Sequence, residues 1–339
     1  MTTLPDAAEA SRRRVMLAID SLDIGGAEEH FVALVNSLVS RGHDVVVAVA
    51  TAGPLMRRLS CRTHVFARSV KRRYEADYAA FLGDIIERER PALVHAHLYA
   101  TAVAAADALG DAAIPLVITL HSEGQWMSEF ARRRLRRAYE SAAAVIGVAA
   151  PIVEGARAMS RTPVFHIPNT IWVASEMPKR VTREAMRVGF VGRHVPEKGE
   201  DLFWAAAHYV PDAEFVSMTP TTLRNGISGR EFISELDVLV VPSRTEGTPF
   251  VILEAMAEGT PIVATAVGGI PELARHSHEA ILIPPDDSQA IARAVRLLLR
   301  DEHLRARLAA SAFRRVARQF QLDHGLTRTV AVYRHAFRD

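Results

Sequence analysis

The chain has 339 residues, 49% of them hydrophobic, and its 41 Lys and Arg exceed its 39 Asp and Glu by only two. That length calls for two cores of about 150 residues each rather than one, and so balanced a charge gives no support to a nucleic-acid-binding protein. The single cysteine, Cys61, excludes an intramolecular disulfide, and no apolar run reaches the roughly 18 residues of a membrane-spanning helix.

Residues 1–14 are polar, lack the apolar core of a secretory signal and read as a loose tail; with the lone cysteine, this favours the cytoplasm. Beyond them, short β-branched runs alternate with helical periodicity, the pattern of parallel sheets flanked by helices. Strands are expected at 15–20, 45–50, 92–97, 115–121, 144–148 and 164–167. After the first, Ser21-Leu-Asp-Ile-Gly-Gly-Ala-Glu-Glu-His opens a helix running to about Arg41. Gly25 and Gly26 would let a phosphate approach the backbone at that helix start, a plain tight turn being the alternative. Glu28 and Glu29 suit the first helical turn electrostatically. His97 and His121 each end a strand at its carboxyl edge, the side on which open α/β sheets take ligands; satisfaction by nearby backbone is the structural alternative. A basic run at 131–139 lies on the following helix, near Trp126 and Phe130, with Lys71-Arg72-Arg73 in a loop. Such a face either docks on anionic lipid or is simply solvated.

Residues 169–186 lack periodicity and contain Pro178, which places an interdomain linker there, between a first domain at 1–168 and a second at 187–319. Strands of the second domain are expected at 187–192, 213–218, 238–242, 261–265 and 280–283, with helical patterns at 288–319 and 324–337. No Gly-x-Gly-x-x-Gly follows the chain's first strand, which argues against a dehydrogenase. The loop after 187–192 carries Arg193 and Lys198. Fixed cations there could stabilise a departing diphosphate without a metal. Lys198 is one of only three lysines, with Lys71 and Lys179.

Residues 243–259, Ser-Arg-Thr-Glu-Gly-Thr-Pro-Phe-Val-Ile-Leu-Glu-Ala-Met-Ala-Glu-Gly, put Glu246 and Glu254 on either side of a helix N-terminus. Thr248 is expected as the N-cap, Pro249 as the first helical residue and Gly259 as the stop. A helix start holds phosphate, while flanking carboxylates accept hydrogen bonds from hydroxyls, so a phosphate with a sugar on either side would satisfy both. Spacing alone leaves a glycosidase carboxylate pair open, although the phosphate-binding context argues against it.

This segment, with Val-Leu-Val-Val-Pro-Ser before it and Thr-Pro-Ile-Val-Ala-Thr-Ala-Val-Gly-Gly-Ile-Pro-Glu after it, resembles the E-x7-E motif of the retaining glycosyltransferases of family 4. Gly192-Arg193 through Lys198-Gly199 is similar to that family's Gly-Arg-x4-Lys-Gly element, and residues 25–28 to its Gly-Gly-Ala-Glu. The resemblance implies an α/β protein of GT-B type, two Rossmann-like domains with parallel sheets facing a central cleft, the helix at about 320–339 packing back on the first domain. It implies that Arg193 and Lys198 contact the donor diphosphate, Glu246 the transferred sugar and Glu254 the ribose. Gly247, Thr248, Pro249 and Phe250 then belong to the donor site, which Gly25 and Gly26 face. His121 lies near the transferred sugar, and His97 and Trp126 fall on the acceptor side. The implied chemistry moves a hexosyl-type sugar from an NDP-sugar, by preference a UDP-sugar, to an acceptor hydroxyl, with retention and with neither metal nor cofactor. His121, Arg193, Lys198 and Glu246 are its catalytic set.

Two features depart from the family pattern. Thr248-Pro249 stands where many members have Phe-Gly, and proline has no N–H to offer the sugar or phosphate. The stretch at 218–237 is short, as if a helix were missing, which leaves the nucleobase open. A sugar-nucleotide 2-epimerase and a non-catalytic nucleotide-sugar binding protein are the rival readings.

Overall fold

The computed structural model describes residues 13–68, 76–122, 124, 127–179, 185–219 and 228–337. They fall into two compact units, one running to Pro168 and resuming at Gly325, the other Asn169–His324.

In the first unit β1 (Arg14–Ser21), β2 (Asp44–Thr51), β3 (His64–Ala67), β4 (Leu93–His97), β5 (Leu116–Leu120), β6 (Ala144–Gly147) and β7 (Val164–His166) form one sheet in the order β3-β2-β1-β4-β5-β6-β7. Every pairing is parallel, with Leu17 opposite Val47 on one side and His95 on the other. Successive side chains of a strand point to opposite faces, so β1 feeds two cores. Met16 and Ala18 face α2 (Ala76–Glu89), α3 (Tyr99–Leu109), α4 (Glu129–Ser141) and α5 (Ala150–Met159). Val15, Leu17 and Ile19 face α1 (Gly26–Ser40) and the chain's last helix, Leu322–Ala336, through its Leu326, Val332 and Tyr333. Because both faces are covered, the strands read as continuous Val, Ile and Ala runs. Strand β3 is the one that periodicity missed; it is a four-residue edge strand whose His64 and Val65 are exposed.

In the second unit β8 (Arg187–Val191), β9 (Glu214–Met218), β10 (Val238–Val241), β11 (Ile262–Thr265) and β12 (Ile281–Ile283) pair in the order β12-β11-β10-β8-β9, again all parallel. Around them lie α6 (Glu200–Ala207), α7 (Gly229–Ser234), α8 (Phe250–Glu258), α9 (Ile270–Leu273), α10 (Ser288–Arg300) and α11 (Glu302–Gln319); the last helix is α12. The helical pattern at 288–319 is two helices, because Asp301 is extended and its carboxylate caps the second through the Leu304 N–H.

Two expectations are corrected. Helix α8 begins at Phe250 with Pro249 at its N-cap, not with Thr248 capping and Pro249 inside. Pro249 has ψ 123°, outside helical space, and the Thr248 carbonyl is held by the Asn169 side-chain amide at 2.8 Å. The shortened stretch also retains a helix: α7 stabilises its single turn and a half by a capping box, the Ser228 hydroxyl on the Glu231 N–H and the Glu231 carboxylate on the Ser228 N–H. Among the described residues no strand separates β9 from β10, and residues 220–227 lie outside them. So do the tail at 1–12, Lys71-Arg72-Arg73, Trp126 and 180–184 of the linker. No helix among the described residues is long and apolar enough to cross a membrane.

Candidate active site

Each sheet reverses its strand order once. In the first the reversal lies between β1 and β4, in the second between β8 and β10. Loops leaving the carboxyl ends of two such strands diverge and leave a crevice for a ligand. The second crevice is therefore flanked by the loop after β8, which carries Arg193 and Lys198, and the loop after β10, which carries Ser243 to Pro249.

These loops meet in an ion pair. Lys198 Nζ lies 2.6 Å from Glu246 Oε1, and the same oxygen accepts a 2.7 Å hydrogen bond from the Ser243 hydroxyl. The Glu246 side chain is 8% exposed, so it is mostly desolvated and the two donors offset that cost. Arg193, in contrast, is exposed and has no ion-pair partner among the described residues. Glu254 is the fifth residue of α8. A Cβ placed on Gly229 would come within 4.0 Å of its carboxylate and 3.8 Å of Val191, which puts Glu254 beside the start of α7 and the end of β8.

Three features fix the two loops. Gly199, at φ 69°, presses against the end of β10 so closely that a Cβ would overlap the Pro242 carbonyl. Gly268, at φ 52°, lies in the same way against the Glu246 carbonyl, while the Gly269 N–H donates to the Gly247 carbonyl at 3.0 Å. Only glycine combines left-handed backbone with so close an approach. Arg244 supplies the third. Its guanidinium takes both Asp201 oxygens at 2.9 and 2.8 Å, Asp286 at 2.7 Å and the Pro196 carbonyl, while the Arg244 backbone N–H donates to the Glu197 carbonyl.

In the first unit Gly25 is the N-cap of α1, in extended backbone, and the carboxylate of Glu28 folds back over the side where a Cβ would project. His97 closes β4 and is fully buried; His121 directly follows β5. Leu98, next to His97, has φ 71° and ψ 165°, a region nearly confined to glycine, so the backbone is strained at this edge. His97 Nδ1 and His121 Nε2 are 3.2 Å apart, one donating to the other. Behind them His95 bonds Tyr333 and Thr119, each at 2.7 Å, and His30 rests its ring on both His97 and His121. Burial pushes all four imidazoles down, His30 to about 4 and His95 to about 3, and mutual repulsion adds to this for His95, His97 and His121. The set is neutral at pH 7 and can donate or accept hydrogen bonds without carrying charge.

Of the residues singled out in the sequence, Lys198 and Glu246 touch, Gly247 to Phe250 continue the same loop into α8, and Glu254 follows on that helix. His97 and His121 touch each other. Ser243, Arg244, Asn169 and His30 were not anticipated. A hydroxyl three residues before an acid is a weak signal that could have marked Ser243; Arg244 and Asn169 act on residues more than 40 positions away and leave none.

Comparison with known proteins agrees with this architecture. The family model described as Glycosyltransferase Family 4 matches residues 24–174, and the one described as Glycosyl transferases group 1 matches 172–301. An α-D-kanosaminyltransferase of Streptomyces kanamyceticus is 27% identical over 307 residues, 74% of this chain and 78% of that protein. Among solved structures, sucrose-phosphate synthase of Thermosynechococcus elongatus matches with a TM-score of 0.80 at 19% identity, covering 96% of this chain and 99% of that one. Anabaena HepE, solved with UDP and glucose, matches with a TM-score of 0.79 at 18% identity over 95% and 99%. With two family models spanning both sheets and a GT-B fold throughout, the chain belongs to the family 4 type of glycosyltransferases.

Proposed function

We propose that the protein is a retaining, metal-independent hexosyltransferase that takes a UDP-sugar as donor and a hydroxyl as acceptor. The observation that carries this reading is the Lys198–Glu246 pair at the β8/β10 crevice, with the exposed Arg193, which has no ion-pair partner among the described residues, on the same loop as Lys198. Arg193 and Lys198 neutralise the charge that builds on the diphosphate as the bond from the sugar C1 to the phosphate oxygen breaks. The acceptor oxygen bonds to C1 from the same face, and its proton passes to the departing phosphate. Glu246 accepts a hydrogen bond from a sugar hydroxyl, and Glu254 from the ribose. His121, neutral by burial, orients a substrate hydroxyl rather than removing its proton. HepE, a fold relative solved with UDP and glucose, supports the choice of donor. Pro249 withholds one backbone N–H from the donor site, leaving the Thr248 hydroxyl and later amides of α8 for that role.

A panel of nucleotide sugars in a thermal-shift assay tests the reading. A donor present at a hundred times its Kd adds about 2.7 kcal/mol of stability, and UDP-glucose should raise Tm above that of the free chain. No shift with any nucleotide or nucleotide sugar would overturn it.

Peripheral membrane contact is part of the same proposal. Helix α4 buries Leu135, Ala138 and Tyr139 and turns Arg132, Arg133, Arg136 and Arg137 outward, with Phe130 71% exposed at its start. That arrangement suits an anionic bilayer surface. Cosedimentation with phosphatidylglycerol vesicles but not phosphatidylcholine vesicles is the expected result, lost in Arg132→Glu/Arg136→Glu; equal recovery with both lipids would refute it. The exposed Cys61 fits a reducing compartment, the cytoplasm.

A further inference from the structure

Glu246 has two carboxylate oxygens, and the protein uses them unequally. Oε1 receives both the Lys198 ammonium at 2.6 Å and the Ser243 hydroxyl at 2.7 Å, whereas no donor among the described residues reaches Oε2. Ser243 is itself held. It is 2% exposed, and its carbonyl accepts a 2.5 Å hydrogen bond from the hydroxyl of Thr265 at the end of β11. The hydroxyl of Ser243 is therefore anchored to the rigid carboxyl edge of the sheet, while Lys198 comes from the separate loop after β8. A lone ammonium could swing the carboxylate about its bond; a second donor from fixed backbone removes that freedom.

We propose that Ser243 is a positioning residue for sugar transfer. Together with Lys198 it fixes the plane of the Glu246 carboxylate, so that Oε2 alone is presented to a hydroxyl of the transferred sugar. The inference rests on the donor reading given above and adds a division of labour to it: Oε1 ties the acid to the cation that serves the diphosphate, and Oε2 reads the sugar. Ser243 makes no substrate contact in this scheme. Its loss should therefore be felt when a sugar is attached to the nucleotide and not when the nucleotide binds alone.

Two measurements on the full chain test this, with Ser243→Ala and the hydroxyl-retaining Ser243→Thr. The first needs no donor. The chain has three lysines, so the Lys198 ammonium can be identified by nitrogen-15 NMR as the signal lost in Lys198→Arg. It should move in Ser243→Ala and stay near its wild-type position in Ser243→Thr; an unmoved signal in Ser243→Ala would overturn the proposal. The second is calorimetric titration with UDP and with UDP-glucose. Ser243→Ala should bind UDP within twofold of wild type but lose about tenfold in UDP-glucose affinity or in kcat, as expected for one misdirected hydrogen bond to a charged group. A purely structural serine would weaken both ligands alike, and that result would also overturn the proposal. Wild-type protein binding neither ligand would refute the donor reading and the sugar-holding role with it, whereas the NMR arm decides the Ser243–Glu246–Lys198 coupling by itself.

Discussion

Lowering the pH from 7 to 5 should destabilise the first unit through its buried imidazoles. His30, His95, His97 and His121 are all held below the ordinary value of 6.5, His30 at about 4 and His95 at about 3, chiefly because burial strips them of water. Their native pKa values lie below the unfolded one, so the unfolded chain takes up protons that the native chain refuses. The stability they support is complete above about pH 6.5 and is lost as the pH falls below it. For a group lowered from 6.5 to about 4, linkage gives a loss of roughly 2 kcal/mol at pH 5. His95, held at about 3, adds a comparable loss, and His97 and His121 act in the same direction. Urea titrations followed by circular dichroism at pH 7 and pH 5 would read this difference. In His30→Gln one titrating group is gone, and the gap between the two pH values should shrink by about 2 kcal/mol, a midpoint change of about 1 M urea for typical slopes. A wild-type midpoint equal at both pH values, or the same gap in His30→Gln, would refute the reasoning.

Other outcomes follow from the second unit. Glu254→Gln should weaken UDP binding by about tenfold or more through lost ribose contacts, while Lys198→Ala should lower kcat about a hundredfold with a smaller change in UDP affinity; titration calorimetry and steady-state rates separate the two. Gly268→Ala must place a Cβ against the Glu246 carbonyl at φ 52°, and a loss of about 2 kcal/mol or more, several degrees in Tm, is expected. Arg244→Ala breaks ion pairs whose partners Asp201 and Asp286 are well exposed, so stability should change by less than about 1 kcal/mol. Its turnover should nevertheless fall, because the loop holding Lys198 loses the hydrogen bond that the Arg244 guanidinium donates to the Pro196 carbonyl; wild-type kcat in this variant would contradict that role.

The β-rich frame was legible because both sheets are covered on both faces, so runs such as 45–50 and 238–241 are apolar without interruption. What escaped had no such signature. Strand β3 is short and exposed, and periodicity has nothing to register there. The start of α8 was misjudged by one residue, because proline suits both the N-cap and the first helical position, and the choice fell to a distant group, Asn169. Lys198 and Glu246 could be chosen from local motif and spacing. That they form a contact could not, since it depends on the β8–β10 pairing and on Gly199 packing against Pro242. The imidazole cluster was half visible. His97 and His121 mark strand ends, but His30 lies on a helix face and joins them only through the fold.

A crystal soaked with UDP-glucose tests the central claim most directly. Diphosphate density within hydrogen-bonding distance of Arg193 and Lys198, with the ribose at Glu254 and a sugar hydroxyl on Oε2 of Glu246, is the predicted result. Nucleotide bound away from the loops that follow β8 and β10, or no nucleotide bound at saturating concentration, would contradict the account.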